Sequence, residues 1–364
     1  MEAPQEEALE LLGKTFEDRT RRRLAREGGC ETKGHLAFVL PVSVEEVQLL
    51  AGVAERFSVP LVSLGARPSP GLETGSEQGS ILVRFDLMRR ARLPEDPEES
   101  WVETEPGAPW LEVNDDLLAR ERSLTVTPPA PHGPPWAAGD GWPGVGSFEF
   151  GRLRENVLRA DVVLAGGKRR EVSGEDLPSF VGPGGSVVVS ATLRTRRADA
   201  DIPFAVAFGD AEDLLGVVAG VPLWHLGFLN PEMARAKHLG EEYLLFGAYP
   251  GGRVAEVEEG LRGVLEPYRR RSLPAAEAYR AWGERFFPVA PSHLTPNATR
   301  EFVPLTKLSE TLGRAGASPQ HIALQGTVSR SGEVLLLTLD TREEGWPQRS
   351  RAKPQPSFNV LPPP

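Results

Sequence analysis

Apolar residues recur along the chain in two patterns, as short runs typical of strands and as longer stretches with helical spacing. Ser43 and Glu46 have the spacing of a capping box, and the apolar residues after them predict a helix that ends near Phe57. The run from Pro60 to Leu64 predicts a strand that enters a turn rich in Gly, Pro and Ser. Such a turn leaves backbone N–H groups pointing one way and often cradles phosphate, although ordinary surface turns share its composition.

The first half of the chain otherwise predicts short strands and two more helices. One helix falls within residues 5–27, and the other covers 110–118 with Leu111, Leu117 and Leu118 as its apolar side. Strands are predicted at 36–40, 81–87, 101–105 and 186–195, and 156–172 reads as a hairpin about Gly166 and Gly167. Residues 128–147 have no periodicity, and a loop of this length is usually functional or disordered.

The pattern changes after residue 200. Strands are predicted at 202–208, 223–229 and 243–249, and helices at 210–218, 254–268, 275–287 and 305–312. The 275–287 helix carries Tyr279, Trp282 and Phe286 on one side, and 321–339 forms a hairpin about Ser331 and Gly332. This order predicts an α+β fold with helices on one face of an antiparallel sheet. We predict domains at 1–200 and 201–342, followed by a basic, Pro-rich disordered tail at 343–364.

Charge and cysteine content narrow the function classes. The 364 residues carry a formal net charge of −10, which argues against a nucleic-acid partner. The single cysteine, Cys30, excludes an internal disulfide framework and a cysteine-based metal cluster. No apolar run approaches the roughly 20 residues that cross a bilayer, and the acidic N-terminus lacks a signal-peptide core, so we expect a cytoplasmic protein without a transmembrane segment.

Five segments taken together resemble a known family. They are residues 40–47, 59–71, 144–157, 160–167 and 186–194, and their order and spacing carry the resemblance. In these segments the chain resembles FAD-linked oxidases of the vanillyl-alcohol oxidase type, and among them the flavin-binding subunit of glycolate oxidase. The resemblance implies a two-part FAD-binding domain of the PCMH type followed by an α+β cap domain on the substrate side.

The resemblance also assigns the first cofactor loop, whose backbone holds the FAD pyrophosphate in the family. It falls on Ser63, Leu64, Gly65, Ala66, Arg67, Pro68 and Ser69. Arg67 replaces a glycine where backbone approaches phosphate, and Pro68 lacks an N–H donor. Leu64 removes the usual charge. These departures weaken FAD binding unless the Arg67 guanidinium itself binds the phosphate.

The second cofactor loop departs further from the family pattern. Its glycine pair falls on Pro135 and Trp136, so other glycines supply a shifted version. The resemblance places the remaining cofactor contacts on Gly139, Gly141, Gly144, Gly146, Ser147 and Val188. The family's covalent-flavin histidine has no counterpart in either loop, so the implied FAD is bound noncovalently.

Few other residues carry candidate chemistry. Arg285, beside Trp282 and Phe286, either binds a substrate carboxylate bidentately or is a surface arginine on an amphipathic helix. Lone histidines are more often structural than catalytic, and this applies to His132, His225, His238 and His321. The sequence contains no metal-ligand spacing, nucleophile elbow or P-loop.

Two functions remain open from the sequence. One is FAD-linked oxidation of a small 2-hydroxy acid such as glycolate, alone or with other oxidase subunits. The other is a flavin-free structural or assembly subunit derived from the same family, which the altered loops favour. A nicotinamide-binding Rossmann protein needs a strand, a G-x-G-x-x-G turn and a helix, and no helical pattern follows Gly139 to Gly146.

Overall fold

The computed structural model describes most of the chain in seven stretches. They cover residues 37–64, 80–127, 143–177, 186–217, 223–285, 299–317 and 322–340, together with helical residues 7, 8, 10–12 and 14. The predicted tail at 343–364 and the predicted sites at Gly65 to Ser69, Gly139 and Gly141 lie outside these stretches, as do His132 and His321. In the described residues, no helix is long and apolar enough to cross a membrane.

A small parallel sheet opens the fold. Strands β1 (Ala37–Val39), β2 (Leu61–Leu64) and β3 (Ile81–Arg84) lie in the order β1-β3-β2, and helix α1 (Val44–Arg56) connects β1 to β2. Ser43 caps α1 as predicted, because its side chain accepts the Glu46 N–H. The Glu46 carboxylate in turn accepts the Val42 N–H at 2.9 Å. The apolar side of α1 packs on the sheet together with Ala8 and Leu12.

A second, antiparallel sheet follows. Its strands run in the order β4-β5-β9-β7-β8, and β6 pairs separately with β9. The predicted hairpin about residues 166–167 is present between β7 and β8. The bounds are β4 Ala91–Arg92, β5 Trp101–Thr104, α2 Trp110–Leu118, β6 Arg122–Leu124, α3 Ser147–Phe150, β7 Val157–Leu164, β8 Arg169–Ser173 and β9 Ser186–Arg197.

Helix α2 has its predicted bounds but buries a different side. Leu111 and Leu118 are 48% and 56% exposed, so their prediction as core residues was wrong. Trp110 and Val113 are buried instead, together with Leu117. The helix lies over the short strand β6 and the core around it, so its tertiary neighbours decide which apolar side is buried.

The third sheet contains seven antiparallel strands in the order β13-β10-β12-β11-β15-β16-β14. Its strands are β10 Asp201–Phe208, β11 His225–Leu229, β12 Tyr243–Pro250, β13 Arg270–Ser272, β14 Thr299–Pro304, β15 Ile322–Val328 and β16 Glu333–Asp340. Its helices are α4 Ala211–Val217, α5 Pro231–Ala236, α6 Val254–Leu265, α7 Ala275–Gly283 and α8 Leu305–Ala317. The strands of the first two sheets come from residues 37–197 and those of the third from 201–340, while the domain boundary near residue 200 stays a prediction.

Helices cover both faces of the third sheet, so the prediction of helices on one face was wrong. Helices α4, α6 and α8 pack on the face that carries Leu226 and Phe228. Helices α5 and α7 pack on the opposite face, which carries Leu229 and Phe246. Every residue of β11 is buried, and a strand buried on both sides needs cover on both faces.

The predicted aromatic side of α7 is only partly buried. Trp282 is 7% exposed and packs beside Ala248, whereas Tyr279 is 44% exposed, so its grouping with Trp282 was wrong. Phe286 lies outside the described residues. Small residues take the place of Tyr279 on the buried side, because Ala278 and Ala281 pack closely on the strands beneath.

The two neighbouring leucines at the end of α2 test this packing directly. We expect Leu117→Ala to lower the free energy of unfolding by about 2–4 kcal/mol, because it leaves a cavity in a closed core. Leu118→Ala is the matched control and should change it by less than about 0.5 kcal/mol. Urea denaturation of both variants makes the comparison, and equal losses would contradict the observed orientation of α2.

Candidate functional site

The predicted first cofactor loop leaves the parallel sheet at the end of β2. Ser63 pairs with Val83 of β3, and Leu64 is the last residue of its strand. The carboxyl ends of parallel strands meet at one edge, where open α/β sheets commonly bind ligands. Residues 65–79 therefore begin at an edge suited to a phosphate, and the contacts predicted for Ser63 to Ser69 stay predictions.

The second predicted loop ends in a tightly packed turn. Gly146 has φ +95°, and a Cβ there would lie 2.0 Å from the backbone oxygen of Thr125, so only glycine fits. Gly144 and Ser147 are buried, and the Gly144 N–H donates to the Ser147 hydroxyl at 2.7 Å. The turn is therefore held by contacts within the protein.

Most backbone N–H groups of this turn already have acceptors. Besides the Gly144 bond, the Val145, Ser147 and Phe148 N–H groups donate to the carbonyls of Thr127, Gly144 and Trp224 at 2.9, 3.1 and 3.2 Å. These four groups fit a diphosphate poorly, since a cofactor would have to break the bonds to use them. An FAD diphosphate would therefore need donors other than these four groups.

Val188 is the third residue of β9 and an apolar core residue. It is 7% exposed and pairs with Val162 of β7 inside the core of the second sheet. Its predicted contact with the flavin stays a prediction.

The Gly144–Ser147 turn abuts the third sheet. Val145 forms a small apolar cluster with Ala248 and Trp282. The Nδ1 atom of His225 lies 3.4 Å from the Gly144 carbonyl oxygen, and the His225 ring meets Trp282 edge-on at 5.2 Å. The first residue of β11 and the helix α7 thus touch the predicted cofactor turn.

The place where the Gly144–Ser147 turn meets the third sheet is a junction between the two halves of the chain. Arg285 lies at this junction, just beyond α7. Its guanidinium stacks on the Trp282 ring at 4.0 Å and donates to the Trp282 carbonyl at 2.6 Å. Burial lowers the pKa of Arg285 to about 10, and the nearby Asp201 charge opposes this shift. The alternative of an exposed surface arginine was therefore wrong.

His225 is a neutral imidazole at this junction. Burial, together with the nearby Arg285 charge, lowers its pKa to about 3, and the hydrogen bond with the Gly144 carbonyl opposes the shift. A group with such a pKa does not take up a proton near neutrality. His225 is therefore suited to a packing and hydrogen-bonding role.

A carboxylate and a second guanidinium complete the electrostatics of the junction. Burial raises the pKa of Asp201, while the charges of Arg285 and Arg196 oppose the increase. Arg196 stacks on Trp224 at 3.6 Å, and burial lowers its pKa against the opposing charges of Asp201, Glu149 and Asp199. The junction therefore holds charges of both signs away from bulk water. In the described stretches, no group of three or more His, Cys, Asp or Glu residues has a geometry that suits a metal ion.

Comparison with known proteins connects this geometry to a family. Residues 35–173 match the family model described as "FAD binding domain". They form an FAD-binding domain. FAD is the cofactor of this domain family, and the match covers the parallel sheet, the turn at Gly144 to Ser147 and the hairpin about residues 166–167.

Two curated relatives are D-lactate dehydrogenases. The chain is 29% identical over 221 residues to "Probable D-lactate dehydrogenase, mitochondrial" of Danio rerio, covering 54% of this chain and 44% of that protein. It is 26% identical over 318 residues to "D-lactate dehydrogenase [cytochrome], mitochondrial" of Arabidopsis thaliana, covering 76% of this chain and 55% of that protein. The chain spans about half the length of these relatives, and the cytoplasmic location stays a prediction.

Solved structures show the same fold across nearly the whole chain. A 4-ethylphenol oxidase from Gulosibacter chungangensis superposes with a TM-score of 0.69 at 15% identity, covering 94% of this chain and 84% of the oxidase. A p-cresol methylhydroxylase gives 0.67 at 13% identity, covering 93% and 83%. The predicted fold, an FAD-binding domain of the PCMH type followed by a cap with an antiparallel sheet, is confirmed.

Sequence reasoning singled out Arg285 but did not connect it to the other junction residues. Asp201 directly precedes the strand predicted at 202–208 and was not considered as chemistry, and His225 was one of four lone histidines. The antiparallel pairing of β10, β11 and β12 brings these residues to one end of the third sheet. Their contact depends on that register, for which the sequence carries no local signal.

The low pKa of His225 predicts a specific pH dependence of stability. The folded state holds His225 neutral down to about pH 3, whereas the unfolded chain takes up this proton below about pH 6.5. Stability is therefore present above pH 6.5 and is lost as the pH falls. The loss from this residue between pH 7.5 and 5.5 should be about 1.4 kcal/mol.

Urea denaturation at these two pH values checks this contribution. His225→Gln should shrink the difference in unfolding free energy between pH 7.5 and 5.5 by that amount. The exposed His238 is the control, because His238→Asn should leave the difference unchanged. An unchanged difference in His225→Gln would show that the residue titrates normally in the folded protein.

Proposed function

We propose that this protein is an FAD-linked oxidoreductase that oxidises a small 2-hydroxy acid, such as glycolate or lactate. The observation that carries the proposal is Arg285, a half-buried guanidinium held on Trp282 and close to the turn of the FAD-binding domain. The D-lactate dehydrogenase relatives support the substrate class, and the domain match supports the cofactor. Other oxidase subunits are proposed partners.

Each junction residue has its own role in such a reaction. Arg285 holds the substrate carboxylate, because a guanidinium matches two carboxylate oxygens at once. Asp201, with its raised carboxyl pKa, is the proposed acceptor of the hydroxyl proton. Bound FAD supplies the hydride acceptor for the α-hydrogen, and the product is a 2-oxo acid. His225 stays neutral and orients the junction through Gly144 and Trp282.

A flavin-free structural or assembly subunit is the second candidate. The bonded N–H groups of the Gly144–Phe148 turn favour it, because they are committed within the protein. Arg67 and Pro68 in the first loop favour it as well. Under this function the junction would hold the two halves together without turnover.

An absorbance spectrum of the purified chain separates the two candidates. An FAD-linked enzyme should show the visible absorbance bands of flavin, and they should bleach when glycolate or D-lactate is added without oxygen, since the cofactor accepts the hydride. A colourless chain that takes up no added FAD would overturn the oxidoreductase. Bound flavin that neither acid reduces would overturn the substrate class.

Arg67 in the first predicted loop offers a sharper test of FAD binding, since four N–H groups of the turn that ends the second predicted loop already have acceptors. If the Arg67 side chain obstructs the approach of phosphate, Arg67→Gly should tighten FAD binding; if Arg67 is a phosphate ligand, it should weaken binding. In either case the FAD affinity should change by about tenfold or more, because the substitution removes a charged hydrogen bond or frees a backbone contact. Fluorescence quenching of titrated FAD measures the affinity.

A matched control removes an arginine from a different loop. Arg269 is exposed and precedes β13 in the third sheet, so Arg269→Gly should leave FAD affinity unchanged. Equal affinities of the Arg67→Gly and unmodified chains would show that this loop is not the phosphate site.

A further inference from the structure

One face of the third sheet carries buried polar side chains in an apolar setting. Alternation along β15 places Gln325 and Thr327 on the same side as Ala323, which packs beneath α5 and α7. His225 lies on this same side of β11, as Leu229 does. Gln325 and Thr327 are 4% and 5% exposed. Buried polar groups normally have hydrogen-bond partners, so these positions call for an explanation.

The side-chain amide of Gln325 is fixed in one orientation. Its Nε2 donates to the backbone oxygen of Arg285, which identifies the nitrogen side of the amide. Its Oε1 is buried and has no hydrogen-bond partner among the described residues. A rigid acceptor thus lies next to the residue proposed to bind the substrate carboxylate.

We propose that Gln325 is a specificity residue whose Oε1 accepts the hydroxyl hydrogen bond of the 2-hydroxy acid when Arg285 first binds it. In the oxidation step the hydroxyl turns from Gln325 and gives its proton to Asp201. The inference rests on the proposed function for its ligand class. A 2-hydroxy acid carries its hydroxyl and carboxylate on adjacent carbons, so neighbouring protein groups must recognise them. The Arg285 guanidinium supplies the cation, and Gln325, whose Nε2 donates to the Arg285 backbone oxygen, supplies the acceptor.

This arrangement selects for a hydrogen-bond donor beside the carboxylate. An amide oxygen accepts but does not donate, so it favours a hydroxyl over the carbonyl of a 2-oxo acid. It equally disfavours an unsubstituted acid, which would leave the buried oxygen unsatisfied. The site therefore binds the hydroxy acid more tightly than the corresponding oxo acid or simple acid.

Titration calorimetry on the purified chain tests this without turnover when any bound flavin is reduced beforehand and oxygen is excluded, because reduced flavin accepts no hydride. The pairs are glycolate against acetate and D-lactate against propionate. The unmodified chain should prefer each hydroxy acid by about five- to tenfold, the effect of one hydrogen bond. Gln325→Met keeps the size of the side chain but removes the acceptor, so the preference should fall below about twofold while acetate affinity is retained.

Two further variants guard against a folding defect. Thr104 in the second sheet is also a buried polar residue, and Thr104→Val should leave both the binding and the preference unchanged. If Gln325→Met does not fold, Gln325→Asn keeps the amide but withdraws it by one methylene, and it should also lose the preference.

The outcomes separate the inference from the proposed function. An unmodified chain that binds both members of a pair equally, or binds neither, overturns the role of Gln325. An unchanged preference in the folded Gln325 variant overturns it as well. A hydroxyl preference that disappears in that variant supports the site even if the chain proves to lack flavin, in which case only the oxidation is withdrawn.

Discussion

The Gly144–Ser147 turn and the residue after it, Phe148, connect the two halves of the protein, and the relative position of the halves depends on this connection. On one side, Gly146 presses against the Thr125 backbone so closely that no Cβ fits. On the other, Phe148 packs into the core of the third sheet and its N–H donates to Trp224. Because these contacts lie within three residues, neither half can shift without breaking the turn. The positions of His225 and Arg285 relative to the FAD-binding domain follow from it.

An ion pair between Arg152 and Glu333 also joins the two halves, and its two side chains differ in burial. The Arg152 side chain is 5% exposed, stacks on Phe302 at 4.5 Å and pairs with Glu333, which is 43% exposed. Glu333 is the more exposed partner, so water screens the pair, and the packing of the buried Arg152 side chain on Phe302 contributes to the connection as well. Surface pairs such as Arg197 with Glu121, each more than 80% exposed, contribute little. The junction thus depends on a few desolvated contacts between the first 200 residues and the third sheet.

Local sequence signals predicted elements well and their packing less well. The cap at Ser43 and the hairpin at residues 166–167 are formed by neighbouring residues, so the sequence alone contains their cause. Leu118 was misplaced because α2 has apolar residues on two sides, and only distant strands decide between them. Strand β13 was missed since its three residues are exposed and polar, and it pairs through its backbone. Gln325 is 40 residues from Arg285, and no local pattern links them.

The backbone hydrogen bonds of the turn bear on both candidate functions. The N–H groups of Gly144, Val145, Ser147 and Phe148 hold the turn in place, and N–H groups that already have acceptors are unavailable to a diphosphate. Under the proposed function, the phosphates of FAD would need donors other than these four groups, while the Arg285 and Gln325 region is held by contacts that need no cofactor. Cofactor binding and the proposed recognition of a carboxylic acid are consequently separate in this fold. Loss of phosphate donors at residues 63–69 would then abolish the proposed redox chemistry and leave the proposed acid site in place, because the turn beside that site remains bonded.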